Sequence, residues 1–245
     1  MSRDYPMQFY NVQVGRDPNR VADEIRGLLD PRPAVLGLCE TVGYSLPGVA
    51  DYICIRDRST ESRANIAAYV KASLDLRDVK WHDLHETWTK TAPGATGQHA
   101  PRSILEFRAG RLFVLVAHQC PKGTDNTKPA QQEGVDKLTA RMAPWTRDDW
   151  GERTDEDKAE AKRQARIVLW DSNRMPGEDG PGPDSLARNI DGKVCGGQID
   201  NAVWRGGSGE VNGVHDVRYA DWVGGVEMRS DHHDALLFTF CLVGA

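Results

Sequence analysis

The chain has 245 residues, 39% of them hydrophobic and 27% charged, with a formal net charge of −5. A mean hydropathy of −0.56 and a sequence pI of about 5.8 fit a soluble globular chain. They exclude a broad cationic surface of the kind that grips nucleic acid without selectivity, and leave open a nucleic-acid substrate bound at one metal-assisted site.

The five cysteines, Cys39, Cys54, Cys120, Cys195 and Cys241, are odd in number, far apart and without a Cys-x-x-Cys pair. That argues against a disulfide framework or a structural zinc site, and for reduced thiols in an intracellular, cytoplasmic setting. The first residues lack the apolar core of a signal peptide, and no stretch reaches membrane-spanning length, so no membrane anchor is expected.

Residues 7–14 alternate as a strand does, and Asp17-Pro18 opens a helix whose Val21, Ile25, Leu28 and Leu29 fall at helical spacing. Residues 34–39 form a continuous apolar run, as in a strand buried on both faces, and it ends in Glu40. Residues 51–56 and 65–70 read as paired strands joined by a polar link, and residues 79–88 as another strand. A Gly/Pro/Ala-rich loop over 91–101 precedes Arg102. Residues 103–108 and 111–117 make a hairpin that closes on His118. A polar, helical insert is expected over 121–165. Residues 166–170 form a strand ending in Asp171-Ser172-Asn173, and a short helix follows near 184–188. Asp200 lies in an apolar stretch running to Trp204, Gly206 and Gly207 mark a turn, and Asp231-His232-His233-Asp234 precedes a final apolar strand. With no repeat and no linker-like composition break, one domain over 1–245 is expected.

The polar residues Asn11, Glu40, His118, Asp171, Asn173, Asp200, Asp231 and His232 each stand where an apolar run stops. Carboxylates and a carboxamide are hard oxygen donors suited to Mg²⁺ or Mn²⁺ rather than zinc. A histidine beside a carboxylate is an oriented acid/base. Such a set can hold a phosphate, activate water and support a leaving oxygen.

Asn11 in Phe9-Tyr10-Asn11-Val12, Glu40 in Leu38-Cys39-Glu40-Thr41, Val116-Ala117-His118, Asp171-Ser172-Asn173, Ile199-Asp200 and Ser230-Asp231-His232, with Arg102 between the second and third, resemble in order the motifs of the endonuclease/exonuclease/phosphatase superfamily. The resemblance spans about residues 9–240. It departs at Trp170, where the family usually has Gly, and at Asn201, where an aromatic often stands. The resemblance implies an α/β four-layer sandwich of two packed mixed sheets flanked by helices, and hydrolysis of a phosphoester by in-line attack of water. It implies that Glu40, helped by Asn11 and Asp231, holds Mg²⁺ (Mn²⁺ possible). It further implies that Asp200 orients a catalytic His232, that Asp171 and Asn173 position water and phosphate, and that His118 and Arg102 neutralise phosphoryl charge. Glu61 is the candidate to orient His118.

Three functions compete. A nuclease draws support from Arg16, Arg63, Arg174, Arg205 and Lys122 in loops near the motifs, and from Trp204 as a base-stacking platform. A phosphoesterase of small molecules suits the acidic net charge. A non-catalytic binding module would require motif loss that this chain does not show.

Overall fold

The computed structural model describes residues 2–85, 88–92, 95–99, 102–121, 128–142, 165–206, 211–228 and 233–243. Two six-stranded sheets pack face to face. The first has the order β13 (Val211–Ala220), β16 (Ala235–Val243), β1 (Ser2–Asn11), β2 (Val35–Cys39), β4 (Ile66–Lys71), β3 (Tyr52–Arg56). The second has the order β11 (Lys193–Cys195), β12 (Asp200–Arg205), β10 (Ala165–Asp171), β9 (Leu112–His118), β8 (Arg102–Ala109), β5 (Leu76–His85). Short hairpins β6 (Trp88–Ala92) with β7 (Ala95–His99), and β14 (Trp222–Val223) with β15 (Val226–Glu227), stand apart.

Side-chain alternation explains the layers. Phe9, Phe238 and Phe240 of the first sheet meet Leu105, Val116, Ile167 and Leu169 of the second in the central core. The opposite face of the first sheet, with Tyr10, Leu36 and Leu38, is covered by α1 (Pro18–Leu29) through Val21, Ile25 and Leu28. The opposite face of the second, with Leu115, Val168 and Trp170, lies under α3 (Lys128–Met142) and α4 (Pro183–Ile190); α2 (Glu61–Ala64) is a single turn. The expected four-layer α/β sandwich is the observed one. Each fully buried Leu, Ile or Phe of these layers contributes about 1.5–3 kcal/mol relative to exposure.

Gly37 packs tightly beneath Leu169 of the facing sheet and beside Phe9 of its own. A Cβ there would lie 2.9 Å from Leu169 Cδ1 and 3.1 Å from Phe9 Cδ2, so the position takes glycine in an otherwise apolar run.

Several boundaries differ from expectation. Strand β1 begins at Ser2, because β16 pairs with it from Ser2↔Val243 onward, and stops at Asn11, whose Oδ1 accepts from Gln13 N at 2.8 Å in a turn with Gln13 at φ +56. The polar link after β3 contains α2, capped by Thr60. The 91–101 loop contains β7, and a long strand, β13, follows the glycine turn. Of the insert, α3 is present, and residues 143–164 lie outside those described. No helix among the described residues is long and apolar enough to cross a membrane.

Candidate active site

Strand register builds the site. Parallel pairing of β9 and β10 sets His118 opposite Asp171, and antiparallel pairing of β10 and β12 sets Asp171 opposite Asp200. One row across three strands therefore carries an imidazole and two carboxylates, 2%, 1% and 0% exposed. The first sheet meets this row with the ends of its own parallel pair: Asn11 closes β1 and Glu40 follows β2. Ligand sites of α/β sheets lie outside the carboxyl ends of parallel strands, and both pairs end here.

Asn11 Nδ2 donates to Asp171 Oδ2 at 2.9 Å, joining the sheets. Glu40, at φ +57, turns back so that its Oε2 accepts from Val14 N at 2.9 Å, while its Oε1 stands 3.7 Å from His118 Nε2. Asp171 Oδ1 accepts from Asn173 N at 3.0 Å, and Oδ2 lies 3.5 Å from His118 Nε2. Asn173 sits at φ +52, a left-handed conformation that asparagine tolerates, and its Nδ2 donates to the Gln119 carbonyl at 2.9 Å.

His233 Nδ1 is 2.7 Å from Asp200 Oδ2, and its Nε2 is 3.4 Å from Asn11 Nδ2. Burial pulls this imidazole down, but the Asp200 hydrogen bond and the charges of Asp200, Asp171 and Glu40 outweigh it and raise it to about 9. Burial and then the charge of Asp200 push Asp171 up to about 7, against the pull of His233, Asn11 and Asn173. Asp200 is raised too, first by burial, with His233 opposing. His118 is held far below the usual imidazole range, by burial and then by the charges of Arg102, His233 and His85. Asn65 Nδ2 donates to His118 Nδ1 at 2.7 Å, which leaves the proton on Nε2, facing Asp171 and Glu40.

Asn11, Glu40, His118, Asp171, Asn173 and Asp200 thus come together from positions up to 189 residues apart along the chain, from Asn11 to Asp200. Arg102 opens β8 opposite His85, near enough for its charge to act on His118. Asp231 and His232 lie outside the described residues, and the imidazole on Asp200 is His233, one residue beyond the expected His232. A one-residue shift turns a side chain to the opposite face of a strand, so two adjacent histidines are not equivalent partners. Nothing in the His232-His233 pair itself separates the two. Glu61 is exposed, and Asn65 takes the place expected for it at His118.

The arginines and the tryptophan offered as nucleic-acid contacts fare differently. Arg174 is 6% exposed and holds Gln131 Oε1 and the Asp179 carbonyl. Arg16 is paired with buried Glu24. Trp204 is 8% exposed, edge-on to Phe240 at 5.5 Å in the central core, so it is packing and not a platform. Arg63 pairs with Asp57, and Lys122 lies outside the described residues.

The residues fit a divalent cation. Candidate ligand atoms of Glu40, His118 and Asp171 lie within 4.8 Å of one another, as do those of Asp171, Asp200 and His233, and with both imidazoles protonated as above the carboxylate oxygens are the donors. Asp200 Oδ1 is buried without a hydrogen-bond partner. Carboxylates gathered in a low-dielectric site need cationic charge beyond one histidine, and their hard oxygens suit a divalent cation.

No family model and no curated protein matches the sequence. Solved structures match along nearly all of the chain, and they are members of the endonuclease/exonuclease/phosphatase superfamily. Truncated TDP2 of Caenorhabditis elegans is 16% identical, with TM-score 0.58 and 97% of each chain covered. TDP2 of D. rerio complexed with a single strand DNA product is 11% identical, with TM-score 0.59, covering 97% of this chain and 98% of that one. The human Nocturnin catalytic domain with bound sulfate is 10% identical, with TM-score 0.57, covering 98% and 96%. At such identities the likeness carries the fold.

Proposed function

We propose that this chain is a Mg²⁺-dependent phosphodiesterase, a nuclease that hydrolyses DNA or RNA by in-line attack of water. The observation that carries the reading is the buried row His118–Asp171–Asp200, met from the other sheet by Asn11 and Glu40. The single strand DNA product in the D. rerio neighbour supports a nucleic-acid substrate.

In this reading Glu40 and Asn11 hold the cation, with Asp231 as a further ligand. When bound, the cation supplies charge neutralisation at the phosphoryl and leaving oxygens. Asp171, raised to about 7, takes the proton of the attacking water as its oxygen bonds to phosphorus. Asn173 fixes Asp171 by its backbone N–H. The P–O bond to the leaving group breaks, the departing oxygen takes a proton from solvent water, and Asp171 returns to solvent the proton it accepted. His233, held cationic by Asp200, places positive charge where the phosphoryl oxygens gain negative charge. His118, neutral with its proton on Nε2, donates a hydrogen bond, and Arg102 adds a fixed charge at the rim.

A small phosphoester is the second reading. It is favoured by the sequestering of Arg16, Arg174 and Trp204, which removes three of the expected strand contacts. A single-stranded oligonucleotide and a bis-aryl phosphodiester dye, each assayed with Mg²⁺ and with EDTA, separate the readings. Cleavage of both with Mg²⁺ supports the nuclease, and dye turnover alone supports the small phosphoester. Turnover of neither leaves a binding module on this scaffold.

A further inference from the structure

Strand register brings a second donor cluster together at the far end of the first sheet. Asp4 lies directly opposite Cys241 in the β1–β16 pair. His215 lies opposite Thr239 in the β13–β16 pair, two residues along from Cys241 and so on the same face. The alternate residues Tyr5, Phe240 and Leu242 point into the central core, which leaves Asp4, Cys241 and His215 on the outer face. One donor atom from each of the three lies within 4.8 Å of the others. Asp4 and His215 are exposed, and Cys241 is 7% exposed.

We propose that Asp4, His215 and Cys241 form a second metal site, for Zn²⁺ or a similar borderline-soft ion, separate from the candidate active site. A thiolate, an imidazole and a carboxylate suit such an ion, where the oxygen-rich pocket suits Mg²⁺. Asp4 is seven residues from Asn11 on the same strand, about 23 Å at 3.3 Å per residue. Two further observations complete the site. His215 Nδ1 donates to Asp216 Oδ2 at 2.8 Å, which leaves the lone pair on Nε2 for a metal and supplies the carboxylate–histidine support that metal imidazoles carry. Asp216, at φ +55, sits in the β13 irregularity between His215 and Arg218, and bulges of this kind re-aim side chains.

Access is also present. A cleft of about 430 Å³, lined by Pro6, Gln8, Asp216, Arg218 and Thr239 among others, adjoins the cluster. Binding releases the Cys241 thiol proton, ties β1, β16 and β13 through one ion, and leaves a fourth position for water. The three ligands are 26 to 237 residues apart in sequence, from His215 to Cys241 and from Asp4 to Cys241, which is why no zinc-type spacing is visible.

The test uses the full chain stripped by chelator, returned to excess Mg²⁺ to fill the oxygen site, and titrated with Co²⁺. The wild-type protein should show a thiolate-to-cobalt charge-transfer band saturating near one equivalent and abolished by Zn²⁺. His215→Ala and Asp4→Asn, both at exposed positions, should weaken Co²⁺ binding more than about tenfold, and Asp216→Asn by about tenfold. Cys241→Ser should lose the band while circular dichroism stays native. Asp171→Asn should leave the band unchanged. Absence of the band in the wild-type protein, its survival at full strength in His215→Ala, or its loss in Asp171→Asn would each overturn the proposal.

Discussion

Asp171 and Asp200 stand directly opposite one another across β10 and β12, both out of contact with bulk water, with His233 bound to only one of them. Two carboxylates so placed cannot both ionise at low cost, and after burial the charge of Asp200 is the main influence that raises Asp171. The arrangement is stable only with added positive charge, which ties the fold's energetics to the candidate chemistry.

The metal-free protein should therefore lose stability as pH rises. A carboxyl held above its unfolded value, about 4, stabilises the fold fully below that value, and the contribution is lost as pH rises through the folded value, about 7 for Asp171. His233 acts in the same direction: its contribution is complete below about 6.5 and is lost as pH passes about 9. Thermal melts in EDTA should fall on the order of 5 °C between pH 5 and pH 8, and Mg²⁺ should recover most of the loss at pH 8. A flat profile in EDTA would contradict this.

His233→Ala should lower turnover roughly a thousandfold, since charge stabilisation and orientation are lost together. His232→Ala should cost less than about tenfold. Steady-state rates of the two variants, with folding checked by circular dichroism, decide which histidine serves Asp200. The reverse order would restore the register expected from the Ser-Asp-His resemblance.

Asn65→Ala removes the donor that fixes the His118 tautomer. The expected result is a roughly tenfold lower kcat with little change in KM, because Asn65 positions His118 and does not meet substrate. A change confined to KM would speak against that role.

Away from the site, Glu24 is fully buried on α1, bonded to Tyr10 and Arg16. Glu24→Ala leaves Arg16 without its partner and should cost about 3–5 kcal/mol in urea unfolding. Gly37→Ala should cost about 1–3 kcal/mol, because the added methyl meets Leu169 at 2.9 Å and Phe9 at 3.1 Å and both must shift.

Most strands were legible because their apolar runs are continuous and end on polar residues, as at Cys39-Glu40 and Leu169-Trp170-Asp171. Order along the chain was enough to nominate Asn11, Glu40, His118, Asp171 and Asp200. What stayed illegible depended on register and depth. Nothing in the sequence of two adjacent histidines says which one meets Asp200. Asn65 reaches His118 from the C-cap of α2, just ahead of β4 in the other sheet, a relation no local pattern encodes. Arg174 and Trp204 look like surface contacts in sequence, yet fold inward to hold Gln131 and to pack on Phe240. The outer-face trio Asp4, His215 and Cys241 is likewise assembled only by cross-strand pairing.

The central claim is that Glu40 from one sheet, holding a divalent cation, and Asp171 from the other, taking the proton of the attacking water, act as one unit in phosphodiester hydrolysis. The most direct measurement is Mg²⁺-dependent cleavage of a single-stranded oligonucleotide by wild type, Glu40→Gln, Asp171→Asn and the double variant. Residues acting as one unit should each cost on the order of a hundredfold or more, and the double variant should lose little beyond the worse single. Chelator-insensitive cleavage, or losses that multiply in the double variant, would contradict the account.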